Sequence, residues 1–128
     1  MADDMGTFRV SIELESAVRP GHRIALRDVL VDTGAELSWM PSAALEALGI
    51  ERKKEWHFRQ ADGSVLRRAT GYVIVHVAGT ETADEVVFGE ERDLVLLGAR
   101  TLEGLNLRVE PTTKRLVDAG PAPAATAA

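Results

Sequence analysis

Val29-Leu30-Val31-Asp32-Thr33-Gly34-Ala35-Glu36-Leu37-Ser38-Trp39-Met40-Pro41 is the stretch that decides how this chain reads. An apolar run delivers an acid, a small hydroxyl residue and a glycine in succession. Burial of the strand over residues 29–31 fixes where Asp32 emerges. The Thr33 hydroxyl can brace the turn that follows, and Gly34 lets the backbone approach another group closely. Such a triplet uses common residue types and recurs on surface turns, so its surroundings must carry the argument.

Those surroundings are rich in strands. Thr7–Glu15 alternates Phe8, Val10, Ile12 and Leu14 with Arg9, Ser11 and Glu13, the period of a strand with one wet face. Arg19-Pro20-Gly21-His22 predicts a turn, and a strand from Arg23 pairing back. Residues 40–50 predict a helix with Pro41 in its first turn, Leu45 and Leu48 on one face, and Gly49 ending it. Residues 56–61 and 65–77 flank Asp62-Gly63, a dipeptide favouring a tight hairpin because both residues tolerate positive φ. An acidic loop over residues 81–85 leads to a strand at Val86-Val87-Phe88. A second apolar segment, Leu94-Val95-Leu96-Leu97-Gly98, runs into a short helix over residues 98–105. A hairpin around Pro111-Thr112-Thr113 closes the pattern, and residues 118–128 form a Pro/Ala-rich tail expected to be disordered.

Composition fits one small domain. A chain of 128 residues holds a single core, and chains of that size bury about two-thirds of their unfolded surface. The absence of cysteine excludes disulfides, thiolate chemistry and zinc–thiolate sites. The opening Met-Ala-Asp-Asp-Met is acidic and has no apolar core, so no secretory signal is expected. No apolar run approaches the ~20 residues that span a bilayer. A cytoplasmic location away from membranes is therefore expected. Net charge is −5, with cations scattered apart from Arg52-Lys53-Lys54, which argues against nucleic acid as a partner.

The order of segments resembles the retropepsin-like aspartic proteases, and more narrowly their small prokaryotic single-domain branch. The matching stretches are VLVDTGAELSWMP, QADGSVLRRATGYVIVHVAG and VFGEERDLVLLGARTLEGLNLRVEPTTKRLV, and the resemblance covers residues 6–117. It implies a mostly β fold, a small closed β-barrel with a flap hairpin and one or two short helices. The domain would span residues 7–117, between an N-terminal tail over residues 1–6 and the C-terminal tail over 118–128. It further implies Asp32 as the catalytic acid, with Thr33 and Gly34 in support and Thr33 bonding across to its symmetry mate. Ala35, the flap-tip residues Asp62, Gly63 and Ser64, and Leu97 would contact a peptide or protein substrate. No cofactor or metal is implied.

Peptide hydrolysis without metal or nucleophile needs a base to activate water and an acid to polarise the carbonyl and protonate the leaving nitrogen. Two carboxyls sharing one proton do both, because like charges a few ångströms apart do not both ionise. A chain with one Asp-Thr-Gly therefore implies a homodimer, with Asp32 of each subunit meeting on the two-fold axis. One departure from the viral pattern concerns the brace of that turn. Ala99 follows Gly98 where viral members often carry arginine, and Arg100 comes one place later, with Asp28 and Glu36 as its candidate partners. The rival reading is a catalytically silent, retropepsin-like module that binds peptides or proteins. A purely structural β-domain is the third.

Other groups read more plainly. His22, His57 and His76 lack metal-ligand spacing, and Ser38, Ser42 and Ser64 lack a G-x-S-x-G setting. Trp39 and Trp56 suit either the core or a substrate pocket. Glu90, Glu91 and Asp93 read as a solvated loop.

Overall fold

Thr7–Glu15 (β1) and Arg23–Asp32 (β2) form the antiparallel hairpin that the alternation predicts, with Phe8 opposite Val31 and Leu14 opposite Ile24. The computed structural model describes residues 7–127, and the tail expected over residues 1–6 lies outside the described residues. Ser38–Pro41 (β3), Ser42–Ala47 (α1), Lys54–Arg59 (β4), Val65–Val77 (β5) and Thr80–Gly89 (β6) follow in order. Leu96–Leu97 (β7), Ala99–Gly104 (α2), Leu107–Glu110 (β8) and Arg115–Asp118 (β9) complete the chain. The fold is mostly β, as expected, with two short helices among the described residues.

Seven strands share one sheet in the order β1-β2-β7-β3-β6-β5-β4. β1 also pairs with β5 through Glu13–His76 and Glu15–Ile74, so the sheet closes on itself as a ring and β4 hangs outside it. Within the ring pack Ile12, Leu14, Val29, Val31, Met40, Val73, Val75, Val86, Phe88 and Leu97. Leu45 of α1 and Leu102 of α2 cover its openings. Full burial of one such side chain is worth roughly 1.5–3 kcal/mol, which makes this cluster the main source of stability. β8 and β9 pair with each other and lay Leu107, Val109 and Leu116 on the core. Among the described residues, no helix is long and apolar enough to cross a membrane.

Tertiary pairing overrides local signals in four places. α1 begins at Ser42, because Met40 and Pro41 are drawn into the ladder opposite Phe88 and Gly89. Its far end is as expected, with Gly49 at φ +74°. Residues 81–85 are strand, not loop: Ala78 and Gly79 both adopt positive φ, and the tight turn they make starts β6 at Thr80. At the other hairpin only Gly63 has positive φ. Its N–H donates to the Gln60 carbonyl and the Gln60 N–H to the Ser64 carbonyl, so the loop holds three residues, Ala61 to Gly63, rather than two. β9 runs through Asp118, and the Ala119 N–H then donates to the Asn106 carbonyl, which pins the start of the tail. Residues 121–127 carry no regular secondary structure.

Candidate functional site

A bulge in β2 determines which way Asp32 faces. Ile24 and Leu26 point inward in the first half of the strand, and Val29 and Val31 in the second, so the inward parity switches. The ladder steps from Val10–Val29 to Ile12–Leu26, leaving Arg27 and Asp28 opposite the single residue Ser11. Asp28 takes the left-handed conformation (φ +56°) that one extra residue requires. A one-residue slip turns every later side chain to the other face. Without the bulge Asp32 would point into the core; with it, Asp32 shares the outer face with Leu30.

The turn that follows is braced by the acid itself. Asp32 Oδ1 accepts the Gly34 N–H at 2.9 Å, and the Ala35 N–H reaches the Asp32 carbonyl at 3.2 Å. Thr33, expected to brace this turn, instead stands exposed, and among the described residues no hydrogen bond engages its hydroxyl. The first amides of α2 hold the loop from behind: Ala99 N–H donates to the Ala35 carbonyl at 2.8 Å, and Arg100 N–H to the Glu36 carbonyl at 3.0 Å. Gly98 makes this approach feasible, since a Cβ there would lie 2.5 Å from the Leu37 carbonyl oxygen.

Beneath the clamp runs a buried chain of donors. The Gly98 N–H donates to Ser38 Oγ, the Ser38 hydroxyl to Thr101, and the Thr101 hydroxyl to Asp84 Oδ2 at 2.7 Å. Each hydroxyl accepts one bond and donates the next, so neither is left unsatisfied in the interior. Arg100 sends its side chain to neither Asp28 nor Glu36. It lies 4.0 Å from Glu85, because α2 packs against β6.

Registered residues of adjacent strands share a face, which assembles a wall beside Asp32: Leu30, Leu96, Trp39, Val87 and Thr70 in sequence across the sheet. Leu97 belongs to the opposite face. It is fully buried in the core, so the structure gives it no surface for the expected substrate contact, and its neighbour Leu96 is only 6% exposed.

The β4–β5 hairpin folds over this wall. Its outer part, residues 54–69, pairs only within itself, because the ladder from β5 to β6 starts at Thr70. Phe58 meets Trp39 with ring centroids 4.8 Å apart, and Trp56 stacks on Phe58 at 5.8 Å. Trp56 Nε1 donates to Glu85 Oε2, which also accepts the Thr70 hydroxyl. Burial pushes the Glu85 carboxyl up, but these two bonds, with Lys54 and Arg100 nearby, hold it below the usual carboxylate range. At the tip, Asp62 Oδ1 accepts both the N–H and the hydroxyl of Ser64, and chiefly the hydroxyl bond holds the acid below its ordinary value. Asp62, Gly63 and Ser64 are all exposed.

Sequence reasoning missed two groups here. Glu85 was assigned to a loop, and Asp93 to solvent, although Asp93 is bonded to Arg68 of β5. The parity switch from Ile24 and Leu26 to Val29 and Val31 was the one available signal for the bulge.

No curated protein matches the chain. Residues 23–104, more than half of it, match the family described as "gag-polyprotein putative aspartyl protease". The match begins at β2, takes in the Asp32 turn and the folded-over hairpin, and ends with α2. The chain belongs to this family, within the retropepsin-like aspartyl proteases.

Proposed function

We propose that the chain is an aspartic endopeptidase, active as a homodimer that brings Asp32 of each subunit to one two-fold axis. The observation that carries this is the Asp32 turn: an acid turned outward by a bulge, with its carboxylate and loop fixed by backbone N–H groups. Each protomer then supplies half of an acid–base pair. One carboxyl is ionised and draws a proton from water. The other is protonated and polarises the scissile carbonyl, then the proton passes to the leaving nitrogen. Thr33 is assigned the bond to its counterpart across the axis, and Gly34 and Ala35 the floor. The substrate is an extended peptide or protein segment gripped by strand-like hydrogen bonds beneath the two hairpins, whose tips are Asp62, Gly63 and Ser64.

The test combines mass with chemistry. The purified chain is sized by light scattering, and the dimer is incubated with a random peptide library from acid to neutral pH beside Asp32→Asn. A dimer that cleaves, with turnover abolished in a folded Asp32→Asn, is the expected result. Unchanged turnover in that variant overturns the mechanism. A strict monomer, or a dimer inert at every pH, supports the silent binding module instead.

A further inference from the structure

The hairpin that folds over the wall has a second joint besides its aromatic one, and this joint leads to the loop before β7. Trp56 and Arg68 face each other across the β4–β5 ladder on the inward side. Trp56 continues the stack toward Trp39. Arg68 instead grips Asp93 with a two-pronged bond, Nε to Oδ2 at 2.7 Å and Nη2 to Oδ1 at 3.0 Å. The two side chains are only 11% and 13% exposed. Fork-to-carboxylate pairs of this kind fix direction as well as distance, which a lysine cannot do.

Asp93 is also the organiser of its own loop. Its Oδ2 accepts the Glu90 N–H at 2.7 Å, and its N–H donates to the Glu90 carbonyl at 2.9 Å. The next residue, Leu94, is 65% exposed, one of few large apolar side chains left so open. Val95 then accepts the Leu30 N–H, and Leu96 lies between Leu30 and Trp39 on the wall beside Asp32. One carboxylate thus joins the covering arm to the loop that carries the exposed Leu94, two residues before Leu96 of the wall.

Resting on the protease reading, we propose that Arg68 and Asp93 are a positioning pair that couples the hairpin arm to the Leu94 loop. Closing the arm over a peptide and setting Leu94 against an apolar side chain of that peptide become one movement. Neither residue touches the reacting atoms. Their contribution is to make acceptance of a large apolar side chain a condition for closure, so the pair acts on substrate choice.

The experiment uses the full-length dimer, with Arg68→Lys, Asp93→Asn and, as a control, the exposed neighbour Arg67→Lys. Amide hydrogen exchange is followed over residues 54–69 and 90–95. Both segments should exchange about tenfold faster in each variant, as loss of a charge-assisted fork allows, while β2 and α2 keep wild-type rates and Arg67→Lys changes nothing. On library peptides, KM should rise more than kcat falls, and more for peptides with large apolar residues than for those with small ones. Acceleration of only one segment, or of β2 and α2 equally, overturns the proposal. So does an equal loss of turnover on all peptides. If the wild type cleaves nothing, the protease reading fails on its own, and the exchange data still decide whether the arm and the loop are coupled.

Discussion

The floor around Asp32 and the arm over the wall beside it are built by different means. Backbone groups hold most of the floor, with the buried Ser38–Thr101–Asp84 chain beneath: the Gly34, Ala99 and Arg100 amides, the parallel pairing of β2 with β7, and the close approach at Gly98. Side chains hold the outer arm to the ring: Phe58 on Trp39, Trp56 on Glu85, Arg68 on Asp93. Peptide groups cannot be exchanged by mutation, whereas side-chain joints can be tuned one at a time. On the proposed reading, a carboxylate that meets its mate across a two-fold axis gains from the first design. On the same reading, a two-stranded ribbon that lifts for substrate gains from the second, since side-chain joints can part without disturbing the ring.

Gly98→Ala is the strongest attempt to break that contrast. The new Cβ would lie 2.5 Å from the Leu37 carbonyl oxygen and 2.9 Å from that of Ala35, both main-chain atoms of the floor. Backbone conformation is no obstacle, with φ at −98°, so the cost is purely steric. A loss of about 3 kcal/mol is expected by denaturant unfolding, near the upper end for overpacking. A loss below about 1 kcal/mol would show a floor as yielding as the arm.

The two regions also differ in how openly the sequence declares them. The alternation of β1, the Asp32 turn and the Leu96-Leu97-Gly98 segment are local patterns, and each was legible. The bulge at Arg27 and Asp28 was written only as a change of parity. β6 was hidden because Glu81, Asp84 and Glu85 looked like a loop, and only pairing with β5 makes them strand. The joints of the arm were not legible at all. Arg68 and Asp93 lie 25 positions apart and Trp56 and Glu85 lie 29 apart, and no periodicity links such pairs.

Glu85→Gln tests a joint of the arm, with a smaller expected effect. The amide keeps an acceptor for Thr70 and Trp56 but sets an NH₂ toward Lys54 and Arg100. The expected cost near neutral pH is about 1.5–2 kcal/mol, the lower end for a hydrogen bond to a charged group. Because the folded carboxyl titrates below its ordinary value, its contribution is fully present above the unfolded value and is lost as pH falls through the folded one. Urea unfolding across a pH series should therefore show wild type and variant converging in acid. Parallel curves would mean that the charge contributes nothing and that the joint is held by packing alone.

Gly63→Ala sharpens the comparison at its weakest point. At φ +88° with no atom within 4 Å of the new Cβ, the penalty is conformational only, about 1 kcal/mol. In the floor that sum would appear in the global stability. At the tip it should stay local, because among the described residues the outer arm has no ladder partner beyond its own two strands. Amides at Gln60, Gly63 and Ser64 should exchange about fivefold faster, the factor equivalent to 1 kcal/mol, while the unfolding midpoint stays put. A midpoint that falls with the tip would mean that arm and ring unfold as one unit, and the arm could then not lift by itself to admit a peptide.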